Sequence, residues 1–205
     1  TMDKQGWSVE TNMKSDEDVT DENNNHGVHE NPSVNKVIDG DSDSVFTGKK
    51  PNNADGHVII NMDATQPIVG FRYKKPSEHA MTGYEVYVST DKENWTLANT
   101  GTFDASKDEE TIYFNKEGSD GGKQLWSYNA AYVKVVAKGA QTVSIKEIDI
   151  IAPPGDNIEI GTRDALYKDG IGTLKSDFVY DKENNQKIPA GSLIITGSYR
   201  GHPAF

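Results

Sequence analysis

The sequence predicts an all-β protein: a β-sandwich followed by a small β-rich C-terminal segment. Three observations point there. Apolar and polar residues alternate at period two, the spacing of a strand with one buried face. Short apolar runs are separated by clusters of Gly, Asn, Asp and Pro at near-regular intervals, as in a sandwich or barrel. Helical spacing of apolar residues is almost absent.

Taken in order, the chain begins with an isolated Trp7 and a polar stretch, Ser15 to Glu30. That stretch carries Asp16, Glu17, Asp18, Asp21, Glu22, His26, His29 and Glu30. The His26-x-x-His29-Glu30 grouping has the chemistry of a Zn²⁺ or Ni²⁺ site. Its Asn-rich surroundings give it no helical frame, so it reads as a solvated loop. Next comes Lys36-Val-Ile-Asp39-Gly40-Asp41-Ser-Asp43-Ser44. Three carboxylates, two hydroxyls and a glycine share one short turn, and Gly40 permits the bend. Ca²⁺ takes about six to eight oxygen ligands, and a turn aims neighbouring oxygens inward. The same residues also make a polar Asx-rich turn without an ion. The spacing is not that of an EF-hand, which places a glutamate at the twelfth position.

Strand patterns follow. Tyr84, Val86 and Val88 share one face, with Glu85 and Tyr87 on the other; Ala131, Val133 and Val135 repeat the alternation. Between Val143 and Ile150 the apolar phase slips from Ile145 to Ile148, which predicts a bulge near Lys146–Glu147 that re-aims a side chain. Trp7, Phe71, Tyr73 and Trp95 supply bulk for the core. The run 152–156, Ala-Pro-Pro-Gly-Asp, reads as a stiff linker. Residues 1–151 are therefore expected to form the sandwich, and 157–205 a small or truncated β-domain. Strand patterns there lie at Ile158–Ile160, Asp177–Tyr180 and Ser192–Thr196, and Asp181–Lys187 reads as a hairpin loop.

Composition excludes several functions. The chain has 205 residues, net charge −11 and pI about 4.8, with arginine only at 72, 163 and 200. Such a surface disfavours nucleic acid and anionic membrane. No run is long and apolar enough for a spanning helix, so membrane insertion is not expected. No signal peptide is evident, and the chain reads as an excised piece of a larger mature protein. There is no cysteine, no His-Glu-x-x-His and no phosphate-cradling glycine loop, so no catalytic residue is assigned. Carboxylates are abundant, but abundance alone makes no glycosidase pair.

The order of segments resembles the discoidin domain, or coagulation-factor type C domain, which includes the family-32 carbohydrate-binding modules. The pieces that carry it are Asp3-Lys-Gln-Gly-Trp7-Ser-Val, Asn35-Lys-Val-Ile-Asp39-Gly-Asp41, Gly56-His57-Val-Ile-Ile-Asn-Met, Ile68-Val-Gly-Phe-Arg72-Tyr, Gly83 to Trp95, Ala130-Ala-Tyr132-Val-Lys-Val and Ser144-Ile-Lys-Glu147-Ile. The resemblance implies a jelly-roll β-sandwich. It also implies a structural Ca²⁺ held by the Lys36 carbonyl, the Asp39 carboxylate, the Asp41 carbonyl, Ser44 and Glu147. Ser44 stands where the family usually has threonine. The missing cysteines point to a bacterial member.

For sugar binding, the resemblance implies an aromatic face and a few polar groups in loops at one end of the sandwich. The mapped positions depart from the galactose pattern. The aromatic–His–Ser of the first loop is Phe46-Thr47-Gly48, and Pro76 replaces a basic residue. The remaining ligand-binding candidates are His57, Glu78, His79, Trp126 and Tyr128. Trp126 and Tyr128 follow Gly121-Gly122, and Trp126 reads either as a stacking platform or as a rim core residue. The expected function is a noncatalytic carbohydrate-binding or adhesive module of a larger secreted or surface-attached bacterial protein. Its partners would be a galactose-type or mucin glycan and neighbouring domains of the same chain. The alternative is a spacer or protein-binding module flanking a hydrolase domain.

Overall fold

The structure, a computed structural model, describes residues 2–18, 32–117, 123–153, 157–158, 170–174, 177–199 and 202–204. The His26-x-x-His29-Glu30 grouping, Gly121-Gly122 and most of the expected linker lie outside these residues. Through residue 151 the strands are β1 (Ser8–Thr11), β2 (Phe46–Lys49), β3 (Gly56–Ile68), β4 (Gly70–Lys74), β5 (Gly83–Ser89), β6 (Thr96–Thr102), β7 (Glu109–Tyr113), β8 (Asn115–Glu117), β9 (Lys123–Leu125), β10 (Tyr128–Lys138), β11 (Thr142–Ile145) and β12 (Glu147–Ile151). One 3₁₀ turn, Pro32–Val37, leads into the acidic turn.

The strands form an antiparallel β-sandwich. One layer is five-stranded, in the order β1-β3-β10-β5-β6. Against it stand a three-stranded sheet, β12-β4-β7, and the pair β11-β2. The order is non-sequential because strands cross between layers, as in a jelly roll. Period-two alternation chooses the inward set. Val58, Ile60 and Met62 come from β3; Tyr84, Val86 and Val88 from β5; Val133 and Val135 from β10. Facing them are Phe71 and Tyr73 of β4 and Ile148 and Ile150 of β12. Phe71 meets Tyr84 edge-on at 5.8 Å between ring centres, and Phe103 and Phe114 complete the aromatic cluster.

Two local expectations are refined. Ile145 and Ile148 are both buried. The chain achieves this with a break at Lys146, not a bulge within one strand. β11 pairs with β2, and β12 pairs with β4 in a different sheet. Trp7, Phe71 and Tyr73 do serve the core, but Trp95 does not belong to it. It is half-buried, with the Lys134 ammonium 4.3 Å from its ring centre. The N-terminal segment before β1 meets β12, because the Met2 amide donates to the Ile150 carbonyl at 3.3 Å.

Beyond this lie β13 (Asn157–Ile158), β14 (Gly170–Leu174), β15 (Phe178–Asp181), β16 (Gln186–Ile188), β17 (Leu193–Tyr199) and β18 (His202–Ala204). β13-β14-β17-β18 form one sheet, and β15-β16 make the hairpin expected around Asp181–Lys187. The Asp181 carboxylate caps that loop, accepting from the Glu183 and Asn184 amides. Asp91 does the same for Glu93 and Asn94 in the matching Asp-Lys-Glu-Asn loop after β5.

Candidate functional site

The acidic turn is assembled from both ends of the sandwich. The 3₁₀ turn brings Lys36 to its start, and Gly40 bends it at φ +77°, a conformation glycine adopts without steric cost. Asp39 folds back on the turn: its carboxylate accepts from the Asp41 amide at 2.8 Å and from the Ser44 hydroxyl at 2.8 Å. The Ser44 hydroxyl lies 3.1 Å from the Asp41 carbonyl. Glu147, the first residue of β12, reaches up from below, and one carboxylate oxygen accepts from the Gly40 amide at 3.2 Å. The break at Lys146 makes this possible by starting a new strand phase at Glu147.

Of the five residues expected to hold an ion, Asp39, Asp41, Ser44 and Glu147 are thus brought to one place. Lys36 enters the same turn, and its ammonium pairs with Glu17. The donors are all hard oxygens, and the Ser44 hydroxyl stands 2.8 Å from the Asp39 carboxylate and 3.1 Å from the Asp41 carbonyl, spacings that neighbouring oxygens around one hard cation can take. The chemistry of the donor set therefore fits calcium. Carbonyls and a hydroxyl make up much of it; among the described residues no three His, Asp or Glu side chains converge as a metal cluster.

Sequence reasoning missed the charges beneath the turn. Glu147 is only 2 % exposed, and its second oxygen is paired with the Lys4 ammonium. Lys4 also contacts Asp149 at 2.9 Å, and the other Asp149 oxygen pairs with Arg72 at 2.9 Å. Burial pushes the Glu147 carboxyl up, opposed by Lys4 and the Gly40 amide. Burial acts on Asp149 in the same direction, but hydrogen bonds from Lys4 and Arg72 outweigh it and hold that carboxyl low. The available signal was Asp149 itself. A charge between Ile148 and Ile150 in a buried strand needs partners.

The ligand candidates do not gather in one pocket. Glu78 and His79 lie exposed in the loop after β4. His79 adopts φ +56°, and its carbonyl accepts from the Ser144 amide at 2.8 Å. The Thr47 and Ser144 hydroxyls are 2.7 Å apart, so this loop adjoins the Phe46-Thr47-Gly48 strand. Phe46 itself is fully buried and offers no sugar a face. His57 is elsewhere, on the outer side of the five-stranded sheet, opposite Val136 of β10. Trp126 is 40 % exposed, with the Lys116 ammonium 4.7 Å above its ring. Tyr128 is committed to structure: its hydroxyl donates to the Asn115 carbonyl at 3.0 Å and its ring abuts Phe114. Among the described residues no hydrogen bond, ion pair or ring contact joins Trp126 to Glu78 or His79.

Lys75 was also missed. Period two from Phe71 and Tyr73 puts it on the inward face, and it is buried. Its ammonium donates to the Asp104 carbonyl at 2.5 Å and pairs with Glu110 at 3.1 Å. The basic charge beside Pro76 thus holds the 103–108 loop and is not offered to solvent. Among the described residues no helix is long and apolar enough to cross a membrane.

Residues 18–148 match the family model of the F5/8 type C domain. Solved structures share the fold. CpGH89CBM32-5 from Clostridium perfringens, in complex with GalNAc-β-1,3-galactose, is 22% identical with a TM-score of 0.52, covering 71% of this chain and 95% of its own. The family 32 CBM of NanJ from C. perfringens, in complex with galactose, is 15% identical with a TM-score of 0.51, covering 70% and 92%. CBM32-3 from a family 31 glycoside hydrolase of C. perfringens is 18% identical with a TM-score of 0.54, covering 74% and 94%. No curated protein matches the chain.

Proposed function

This chain belongs to the F5/8 type C domain family, and on that premise we propose that it is a noncatalytic carbohydrate-binding module of a larger secreted or surface-attached bacterial protein. The observation that carries the reading is the fold shared with modules solved with galactose and GalNAc-β-1,3-galactose. Its task is to hold a parent enzyme or adhesin on galactose-type or mucin glycans of a host, raising the effective substrate concentration for a neighbouring domain. The exposed loop of Glu78 and His79, beside Thr47, supplies polar groups for sugar hydroxyls. Trp126 supplies a face for ring stacking once Lys116 moves aside. Ca²⁺ bound by the Lys36 and Asp41 carbonyls, Asp39, Ser44 and Glu147 ties the acidic turn to β12. Residues 157–205 form a separate unit after the linker 152–156.

Buried Phe46 and internally paired Lys75 support a second reading, a spacer or protein-binding module that flanks a hydrolase domain. A glycan array with the full chain separates the two. Binding that weakens on His79→Ala or Trp126→Ala supports the sugar reading. No binding to galactose, N-acetylgalactosamine or mucin glycans would leave the spacer. For the ion, chelation is expected to lower the melting temperature of the wild type and to leave Glu147→Gln unmoved. A hundredfold excess of ion over its dissociation constant stabilises by about 2.7 kcal/mol.

A further inference from the structure

We propose that the Lys4 ammonium is a built-in competitor for the calcium ion: it holds Glu147 when the ion is absent and yields it when the ion binds. The proposal rests on the calcium reading of the acidic turn. Lys4 reaches Glu147 from the N-terminal segment, and its side chain is only 14% exposed. Among the described residues it is the only cation paired with Glu147. Lys36, though part of the same turn, is paired with Glu17.

The charges beneath and within the turn are paired by the protein itself. Lys4 and Arg72 balance Glu147 and Asp149, so the cluster carries no net charge. Asp39 is satisfied by the Asp41 amide and the Ser44 hydroxyl. Among the described residues no buried side-chain nitrogen or oxygen lacks a hydrogen-bond partner. A buried carboxylate without its counter-ion is strongly destabilising, and here the counter-ion is covalently tethered.

Calcium needs the same carboxylate. A divalent ion on Glu147 meets the ammonium as a like charge in a poorly solvated place, where the repulsion is weakly screened. Asp149, 2.9 Å from the ammonium and not among the ion's ligands, gives Lys4 a carboxylate to retain. The exchange therefore leaves no buried charge unpaired. Calcium affinity is lowered by the work of removing Lys4, and the ion-free fold is protected by the same contact.

The test is a Ca²⁺ titration by calorimetry of the full chain, wild type against Lys4→Met, after chelation, with melting curves in chelator and in excess CaCl₂. Lys4→Met is expected to bind Ca²⁺ at least tenfold more tightly than wild type, to melt lower in chelator, and to regain the wild-type melting temperature in Ca²⁺. If the variant folds only when Ca²⁺ is present, that rescue supports the proposal, since ammonium and ion then replace each other. Equal or weaker Ca²⁺ binding by the variant overturns it while leaving the calcium site standing. A variant that stays unfolded in excess Ca²⁺ also overturns it. If neither protein binds Ca²⁺, the calcium reading falls and takes the competitor with it.

Discussion

Replacing Tyr73 by phenylalanine removes one oxygen and strands two partners. The ring is fully buried, and its hydroxyl donates to the Ser144 carbonyl at 2.7 Å and accepts from the Met81 amide at 3.0 Å. Burial also holds the phenol well above its ordinary pKa, so it stays a neutral donor at any working pH. Ser144 and Met81 are themselves buried, so neither lost bond is replaced by bulk water. Each orphaned group costs about 1–3 kcal/mol. A loss of about 3 kcal/mol is expected for the pair, or roughly 6–12 °C for a domain of this size. Tyr128→Phe is the control, because its hydroxyl has one partner in a half-buried place and should cost under about 1 kcal/mol. Urea midpoints at unchanged slope measure both. Amide exchange at Met81 should quicken in Tyr73→Phe, since this hydroxyl pins the end of the His79 loop. A Tyr73→Phe loss no larger than that of Tyr128→Phe would refute the reasoning.

Other perturbations test other layers. Gly70→Ala would put a methyl 2.3 Å from the Ile112 carbonyl oxygen, so β7 must shift; a loss of about 3 kcal/mol is expected, and an unchanged thermal melt would mean the sheet relaxes freely. His57 is held below its ordinary pKa, first by burial and then by Lys134, with Glu10 opposing. The fold therefore prefers the neutral ring: its stabilising effect is intact above about pH 6.5 and fades as pH falls through the lowered folded pKa. Urea midpoints of wild type and His57→Gln should diverge as pH drops from 7.5 to 5, and parallel curves would remove His57 from the account.

Much of the sandwich was legible because burial on one face writes a period of two. Tyr84, Val86 and Val88 face inward as their spacing requires. Lys75 was legible on the same rule and passed over, since a lysine in the inward phase of Phe71 and Tyr73 needs an internal acid. The phase slip from Ile145 to Ile148 announced an irregularity, but not its kind. A bulge and a change of sheet bury the same two residues, and strand partners decide between them. Lys4 was beyond reach. Its pairing with Glu147 joins opposite ends of the domain, and no local pattern encodes a contact of that separation. Trp95 misled for a simpler reason: its indole is covered by the stem and charge of Lys134, which hides apolar surface without a core.

The bond between the Met2 amide and the Ile150 carbonyl has a mechanical consequence. The polypeptide enters and leaves the sandwich at one spot, so a pull between flanking segments is applied across this contact and the Lys4 ion pairs beside it. Such a pull works on few bonds at a time and leaves the long ladder between β3 and β10 out of the force path. Tension applied there would load the Met2 and Lys4 contacts first, and the ladder that joins β12 to β4 would then be peeled from its end, one pair at a time.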